Sequence, residues 1–129
     1  MPRLNSLVLV GRCGNDPVPR YLNDGKVVLN LSLAVKREYH SLERTARGIR
    51  YGEEETDWFP LEIWNREAEY AAKVITKGAR IGIRGSFVCD QWTDSEGNER
   101  RTPKVLVNSI DLLESRAERE TRGDDGGDG

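Results

Sequence analysis

Cysteine, histidine and methionine are all scarce in this chain: Cys13 and Cys89, the single His40 and one methionine in 129 residues. The two cysteines stand at no metal-ligand spacing and close at most one disulfide, so both read as small buried thiols of a reducing compartment. His40 lies in polar sequence with no cysteine paired to it. Asp57 and Glu62 have no third ligand placed by spacing, so neither a metal centre, a catalytic set nor a cofactor is expected. No apolar run approaches the ~18 residues of a membrane helix. Met1-Pro2-Arg3-Leu4-Asn5 leads straight into strand-like sequence, unlike a secretory signal. A soluble intracellular domain without membrane contact is the expectation. An excess of positive charge is missing too, with 20 Lys+Arg against 22 Asp+Glu and a net charge of -2. Taken alone, that balance speaks against a nucleic-acid footprint.

What is present suits one domain: 36% hydrophobic and 33% charged residues give enough apolar surface for a single modest core. No internal repeat is visible. From Ser115 onward the residues are polar, charged or glycine apart from Ala117, and such a segment cannot repay the entropy of ordering. The expected division is therefore a domain over 1–114 and a disordered, acidic, glycine-rich tail over 115–129. The tail holds 3 basic and 5 acidic residues, which leaves 17 of each in the domain. The domain is neutral rather than acidic.

Strand signals dominate it. Leu4 to Val10 is a first apolar stretch, closed by the turn-like Gly11-Arg12-Cys13-Gly14-Asn15-Asp16-Pro17. After a tight turn at Asn23-Asp24-Gly25, Val27, Leu29, Leu31, Leu33 and Val35 alternate with Asn30, Ser32, Ala34 and Lys36. A polar stretch from His40 to Glu55 follows. Further strands are predicted over Thr56 to Trp64, Arg80 to Trp92 and Lys104 to Leu113, with a hairpin tip at Asp94-Ser95-Glu96-Gly97-Asn98. One helix interrupts them: Ala68, Ala71, Ala72 and Ile75 share a face, with Asn65 as N-cap and Gly78 past the end. A mainly all-β chain of five strands, with one helix between the third and fourth, has the order of an OB-fold, a partly open Greek-key β-barrel.

All three tryptophans fall on the polar side of their strands. Phe59, Leu61 and Ile63 share the core parity, whereas Trp58 and Trp64 share the other with Pro60 and Glu62. On the long strand Ile81, Ile83, Phe87 and Cys89 are expected inward, and Arg80, Arg84, Ser86, Asp90 and Trp92 outward. Clustered surface tryptophan marks a binding surface, here a stacking platform for nucleobases or for sugar rings, since OB-folds take both. Local charge separates the two ligands. Lys36, Arg37, Arg44, Arg47 and Arg50 outnumber Glu38 and Glu43. Arg66, Lys77, Arg80, Arg84, Arg100 and Arg101 lie in or beside the segments that carry the tryptophans. Cations interleaved with exposed aromatics favour a polyanion with π-faces, which is single-stranded nucleic acid. Duplex reading is disfavoured because the only helix expected is short and alanine-rich.

The same residues carry a family resemblance over about 4–114. Leu9-Val10-Gly11-Arg12, Gly14-Asn15-Asp16-Pro17, Arg20-Tyr21 and Asn30-Leu31-Ser32-Leu33-Ala34-Val35 stand in its order and spacing. So do Thr56-Asp57-Trp58-Phe59, Glu69, Lys77-Gly78, Ile83-Arg84-Gly85 and Trp92-Thr93-Asp94. Together they resemble the bacterial-type single-stranded DNA-binding proteins, which also occur in organelles. The resemblance implies a non-enzymatic domain that coats single-stranded DNA without sequence preference in replication, recombination and repair. It implies a homotetramer and, for a bacterial member, a cytoplasmic, nucleoid-associated location. Trp58 and Trp92 fall on family tryptophan positions, Trp64 replaces a phenylalanine, and Tyr39 takes the place of a further stacking aromatic. Arg66, Lys77 and Arg100 match positions where the family tends to be basic, and Lys36, Arg37 and Arg84 complete the expected phosphate contacts.

Three departures matter. Phe87-Val88-Cys89-Asp90-Gln91 replaces several basic residues that precede Trp92 in better-studied members. Glu62 sits between Trp58 and Trp64, unfavourable beside phosphate unless an arginine neutralises it. The tail ends in Asp124-Asp125-Gly126-Gly127-Asp128-Gly129 and lacks the Pro-Phe tip with which the family recruits replication and repair proteins. The alternative reading is an OB-fold paralogue acting as a protein–protein module of primosome type, or binding RNA.

Overall fold

The computed structural model describes residues 4–38, 41–50 and 55–114. The tail expected from 115 onward lies outside these residues, as do Tyr39 and His40. Six strands and two helices follow one another: β1 (Leu7–Cys13), β2 (Arg20–Tyr21), β3 (Val27–Lys36), α1 (Ser41–Arg47), β4 (Thr56–Trp64), α2 (Asn65–Val74), β5 (Arg80–Thr93) and β6 (Glu99–Leu112). They form one sheet in the order β1-β5-β6-β4-β3-β2, and a further pairing of β1 with β3 turns it back on itself into a ring. No described helix is long and apolar enough to cross a membrane.

The period-two pattern of β3 decides the interior. Val27, Leu29, Leu31 and Leu33 are buried and Val35 partly so, while Asn30 and Ser32 are exposed. β3 runs antiparallel to β4 with Leu31 opposite Leu61 and Leu33 opposite Phe59, so the inward residues of the two strands meet. β4 then runs parallel to β6 with Leu61 opposite Val105. Leu29, Leu33, Leu61, Ile63, Ile75, Ile81 and Val105 are fully buried and form the centre of the core. α2 adds Ala68 and Ala71, with Ile75 just beyond it. The small alanines let the helix axis lie close to β3, β4 and β6, which it contacts.

Several local expectations change. Gly11 to Cys13 do not end the first strand. β1 continues through them and passes from β5 to β3, with Arg12 opposite Ala34 and Cys13 opposite Leu33. Gly11 permits this crossing because a Cβ there would collide with the Ala34 carbonyl. The helix expected after Trp64 is α2, but α1 within the polar stretch and the two-residue β2 were not signalled. Asn65 does not cap α2. It takes a left-handed φ of 53°, which asparagine tolerates, and its Oδ1 accepts the Val27 N–H at 3.0 Å. The last strand starts at Glu99 rather than Lys104, because β5 and β6 pair all the way to the turn at residues 94–98. That turn, like the one at Gly25, forms as expected: Gly97 and Gly25 have φ of 84° and 88°, and Asp94 Oδ1 accepts the N–H groups of Glu96 and Asn98.

Phe87 and Cys89 are also corrected. Ile81, Ile83 and Gly85 point into the core, but Phe87 is 46% exposed and Cys89 is exposed. Their parity is inward, yet the β5–β6 hairpin outruns the strands that would cover it. Only Cys13 is a buried thiol, and its burial pushes its pKa up.

Candidate nucleic-acid interface

The alternation of β4 that sends Phe59, Leu61 and Ile63 inward places Trp58, Pro60, Glu62 and Trp64 on the outer face. Cross-strand pairing sets Ala34 opposite Trp58, Ser32 opposite Pro60, Asn30 opposite Glu62 and Val28 opposite Trp64. At ~3.3 Å per residue the two indoles are about 20 Å apart along the strand. Between them lies a groove of about 440 Å³, lined by Asn15, Asn30, Ser32, Pro60, Glu62, Thr102, Pro103 and Lys104 over Leu31 and Leu61. Asn15 braces its wall: its Oδ1 accepts the Ser32 N–H at 2.8 Å and its Nδ2 donates to the Asn30 carbonyl at 3.4 Å.

The tryptophans are held in different ways. Trp58 is 60% exposed and backs onto Gly14, where an added Cβ would lie 2.6 Å from the ring atom Cζ3. Trp64 is half-buried and its indole N–H donates to Glu62 Oε2 at 2.7 Å. Trp92, on the hairpin, is 50% exposed and donates its N–H to Thr102 Oγ1 at 2.8 Å, while Arg100 sits opposite in the ladder. Because Thr102 also lines the groove, the Trp92 arm and the Trp58–Trp64 groove are joined through one side chain.

The charge that neutralises Glu62 is a lysine, not an arginine. Lys104 Nζ lies 2.8 Å from Glu62 Oε1 and 2.6 Å from Asp90 Oδ2. Partial burial works to raise the Glu62 carboxyl, but the Lys104 and Trp64 hydrogen bonds outweigh it and hold the group below the usual carboxylate range. The hydrogen bonds that the Lys104 ammonium donates, to Asp90 first and then to Glu62, push it above its ordinary value. Lys104 escaped the sequence reading. Its outward parity beside Val105 was visible, but the parallel β4–β6 pairing that lays it against Glu62 was not.

The expected phosphate contacts are dispersed around this groove, and none of them lines it. Lys36 and Arg37 lie at the end of β3, where the Arg37 guanidinium grips Asp57 through Nε at 3.0 Å and Nη2 at 2.6 Å and reaches Glu55 at 3.5 Å. The Arg37 hydrogen bond holds the Asp57 carboxyl below its usual range. Arg66 is exposed in the first turn of α2, and Lys77 is exposed in the following turn, where its N–H donates to Asp16 Oδ1 at 2.9 Å. Arg100 donates from Nε to Asp94 Oδ2 at 2.9 Å beside Trp92. Arg84 is exposed opposite Val8 of β1 and Ser109 of β6, on a different stretch of the sheet. Tyr39 lies outside the described residues. Among those residues, no cluster of three or more His, Cys, Asp or Glu could hold a metal ion.

This surface offers two aromatic faces along a groove with a largely apolar lining and a polar rim, a third on an arm, and cations at the margins. Stacking with phosphate contact is what such an arrangement can do chemically. Residues 4–113 match the Single-strand binding protein family. Over 114 residues the chain is 44% identical to "Single-stranded DNA-binding protein 1" of Synechocystis sp., covering 88% of this chain and 86% of that protein. It is 40% identical over 114 residues to "Single-stranded DNA-binding protein" of Thermosynechococcus vestitus, covering 88% and 85% of the two chains. A third relative, the "Single-stranded DNA-binding protein" of Caldanaerobacter subterraneus, is 34% identical over 114 residues, covering 88% and 71%.

Proposed function

The chain belongs to the single-strand binding protein family, and from that membership we propose that it coats and protects single-stranded DNA, without catalysis, in replication, recombination and repair. The domain is an OB-fold spanning 1–114, and its binding is independent of sequence because every base offers a face to stack. The observation that carries the reading is the pair of tryptophans facing outward at the two ends of one groove, on a strand whose other face is core. Bases stack on Trp58, Trp64 and Trp92, with Tyr39 as a fourth aromatic. Lys36, Arg37, Arg66, Lys77, Arg84 and Arg100 hold phosphates as the strand enters and leaves.

The working form is a homotetramer. β1 supports self-association because it is apolar on both faces: Leu7 and Leu9 pack against the core, while Val8 and Val10 are 59% and 48% exposed. A strand apolar on both sides is built to be covered on both sides. The edge of β1 away from β5 also has no neighbouring strand over Leu7–Gly11 among the described residues.

Titration of the full chain with oligo(dT) at two salt concentrations, followed by tryptophan fluorescence, tests the binding mode. Strong quenching and an affinity that falls with salt are expected, with a shallow slope because so many cations are internally paired. Binding without quenching would remove the stacking mechanism. No binding to either DNA or RNA oligonucleotides would favour a protein-contact role.

A further inference from the structure

Lys104 lines the groove that runs beside Pro60 and Glu62, the outward residues of β4 between Trp58 and Trp64. Its ammonium is held between two carboxylates, and the two are not equivalent. Glu62, on β4, is only one-fifth exposed and is fixed a second time by the Trp64 N–H. Asp90 belongs to the hairpin arm, where Thr102 is its partner and Lys104 faces Val88, so the two charges meet diagonally across the β5–β6 ladder. The Asp90 side chain is 58% exposed, does not line the groove, and makes no other ion pair among the described residues.

We propose that Lys104 is a phosphate-binding residue masked by Asp90, which occupies at rest the position a backbone phosphate takes in the complex. This rests on the single-stranded DNA reading and adds to it a residue and a threshold. When the strand enters, a phosphate oxygen replaces Asp90 Oδ2 at the ammonium and Asp90 swings into water, while Glu62 stays in place and keeps Trp64 oriented. One anion exchanges for another, so the ammonium is never left without a partner.

The mask has a functional consequence. A lone phosphate or a weakly held polyanion must compete with a tethered aspartate, whose effective concentration is high. A strand already anchored by stacking on Trp58 and Trp64 presents its own phosphate at a comparable effective concentration and wins the exchange. The groove therefore answers to stacking and charge together rather than to charge alone. It also contributes little to the salt dependence, because the cation released from the phosphate is partly taken up by the freed Asp90.

A mutant cycle tests this, read by fluorescence titration of the full chain with oligo(dT) at low and high salt. Asp90→Asn should tighten binding about two- to fivefold at low salt, the range of an exposed ion pair, with a smaller gain at high salt. The gain should vanish in a Lys104→Gln background and persist in a Lys104→Arg background, which keeps the charge. Asp111→Asn, an exposed acid away from the groove, should leave the affinity within about twofold. An unchanged affinity in Asp90→Asn, or a gain that survives Lys104→Gln, would overturn the proposal while leaving the single-stranded DNA reading intact. Failure of the wild-type chain to bind oligo(dT) would remove that reading, and the mask with it.

Discussion

The outer face of β3 and β4 and the outer face of β1 belong to the same closed sheet, and they differ in what they leave uncovered. On the first, the exposed apolar surface is aromatic, and polar groups fix its position: Glu62 orients Trp64, Asn15 braces the wall, and Lys104 answers two carboxylates. On the second, Val8 and Val10 are exposed and aliphatic, with Arg84 across the ladder from Val8. Aromatic rings give a planar face that stacks on any base, whereas aliphatic side chains gain mainly by being packed out of water. On the proposed reading, the first face takes single-stranded DNA and the aliphatic part of the second takes another copy of the chain.

The largest effect that separates the two faces comes from charging the second. Val8→Glu combined with Val10→Glu would bury unpaired carboxylates in any self-association surface, at a cost of several kcal/mol for each. The oligomer should dissociate toward the 14.6 kDa single chain in a sedimentation run, while short oligo(dT) still quenches the tryptophans. Retention of the oligomer would show that assembly uses another surface.

Next in size are the rings themselves. Trp58→Ala and Trp92→Ala should each weaken oligo(dT) binding by roughly 1–3 kcal/mol and leave the oligomer unchanged. Normal affinity in both variants would move the stacking platform elsewhere. A smaller effect tests how closely the first face is shaped. A methyl at Gly14 would come to 2.6 Å of Trp58 Cζ3, so Gly14→Ala must displace that ring while adding no left-handed strain. Affinity should drop about two- to threefold, less than on losing the ring, with little change in melting temperature. No change in either quenching or affinity would show that the ring's position over Gly14 is immaterial.

The first face was the more legible of the two in the sequence, because period-two alternation is a local property. Leu61 and Ile63 inward with Trp58 and Trp64 outward could be read from nine consecutive residues. The helix after Trp64 was equally local, through its alanine spacing. What could not be read depended on neighbours distant in the chain. The parallel contact of β4 with β6 brings Lys104 to Glu62 across 42 residues. Phe87 and Cys89 obey the inward parity, but among the described residues no strand covers the arm there. Gly11 looked like a turn because the β1–β3 closure that needs a glycine is a tertiary event. Nothing local said that Asp57 and Glu55 would grip Arg37.

The smallest effect is the one that titrates. Glu62 lies below its ordinary value of 4.5 in the folded protein. Its contribution to stability is therefore complete above that value and is lost as pH falls through the folded one. Lys104 lies above its ordinary value of 10.5, so its contribution is complete below that value and is lost as pH rises through the folded one. The pair thus acts at full strength across the whole neutral range and weakens only outside it. Because the groove is partly open to water, the loss in acid should stay below about 1 kcal/mol. It should nevertheless be visible locally, since a protonated Glu62 accepts the Trp64 indole N–H less strongly. The Trp64 indole proton resonance should shift as pH falls from neutral through the titration of Glu62, with core amides of Leu29 and Ile63 still protected from exchange. Val8 and Val10 carry no titratable group, so the second face has no counterpart of this effect at those two positions. If the Trp64 resonance stays fixed, Glu62 does not orient the ring, and the first face loses the polar anchoring that sets it apart from the second.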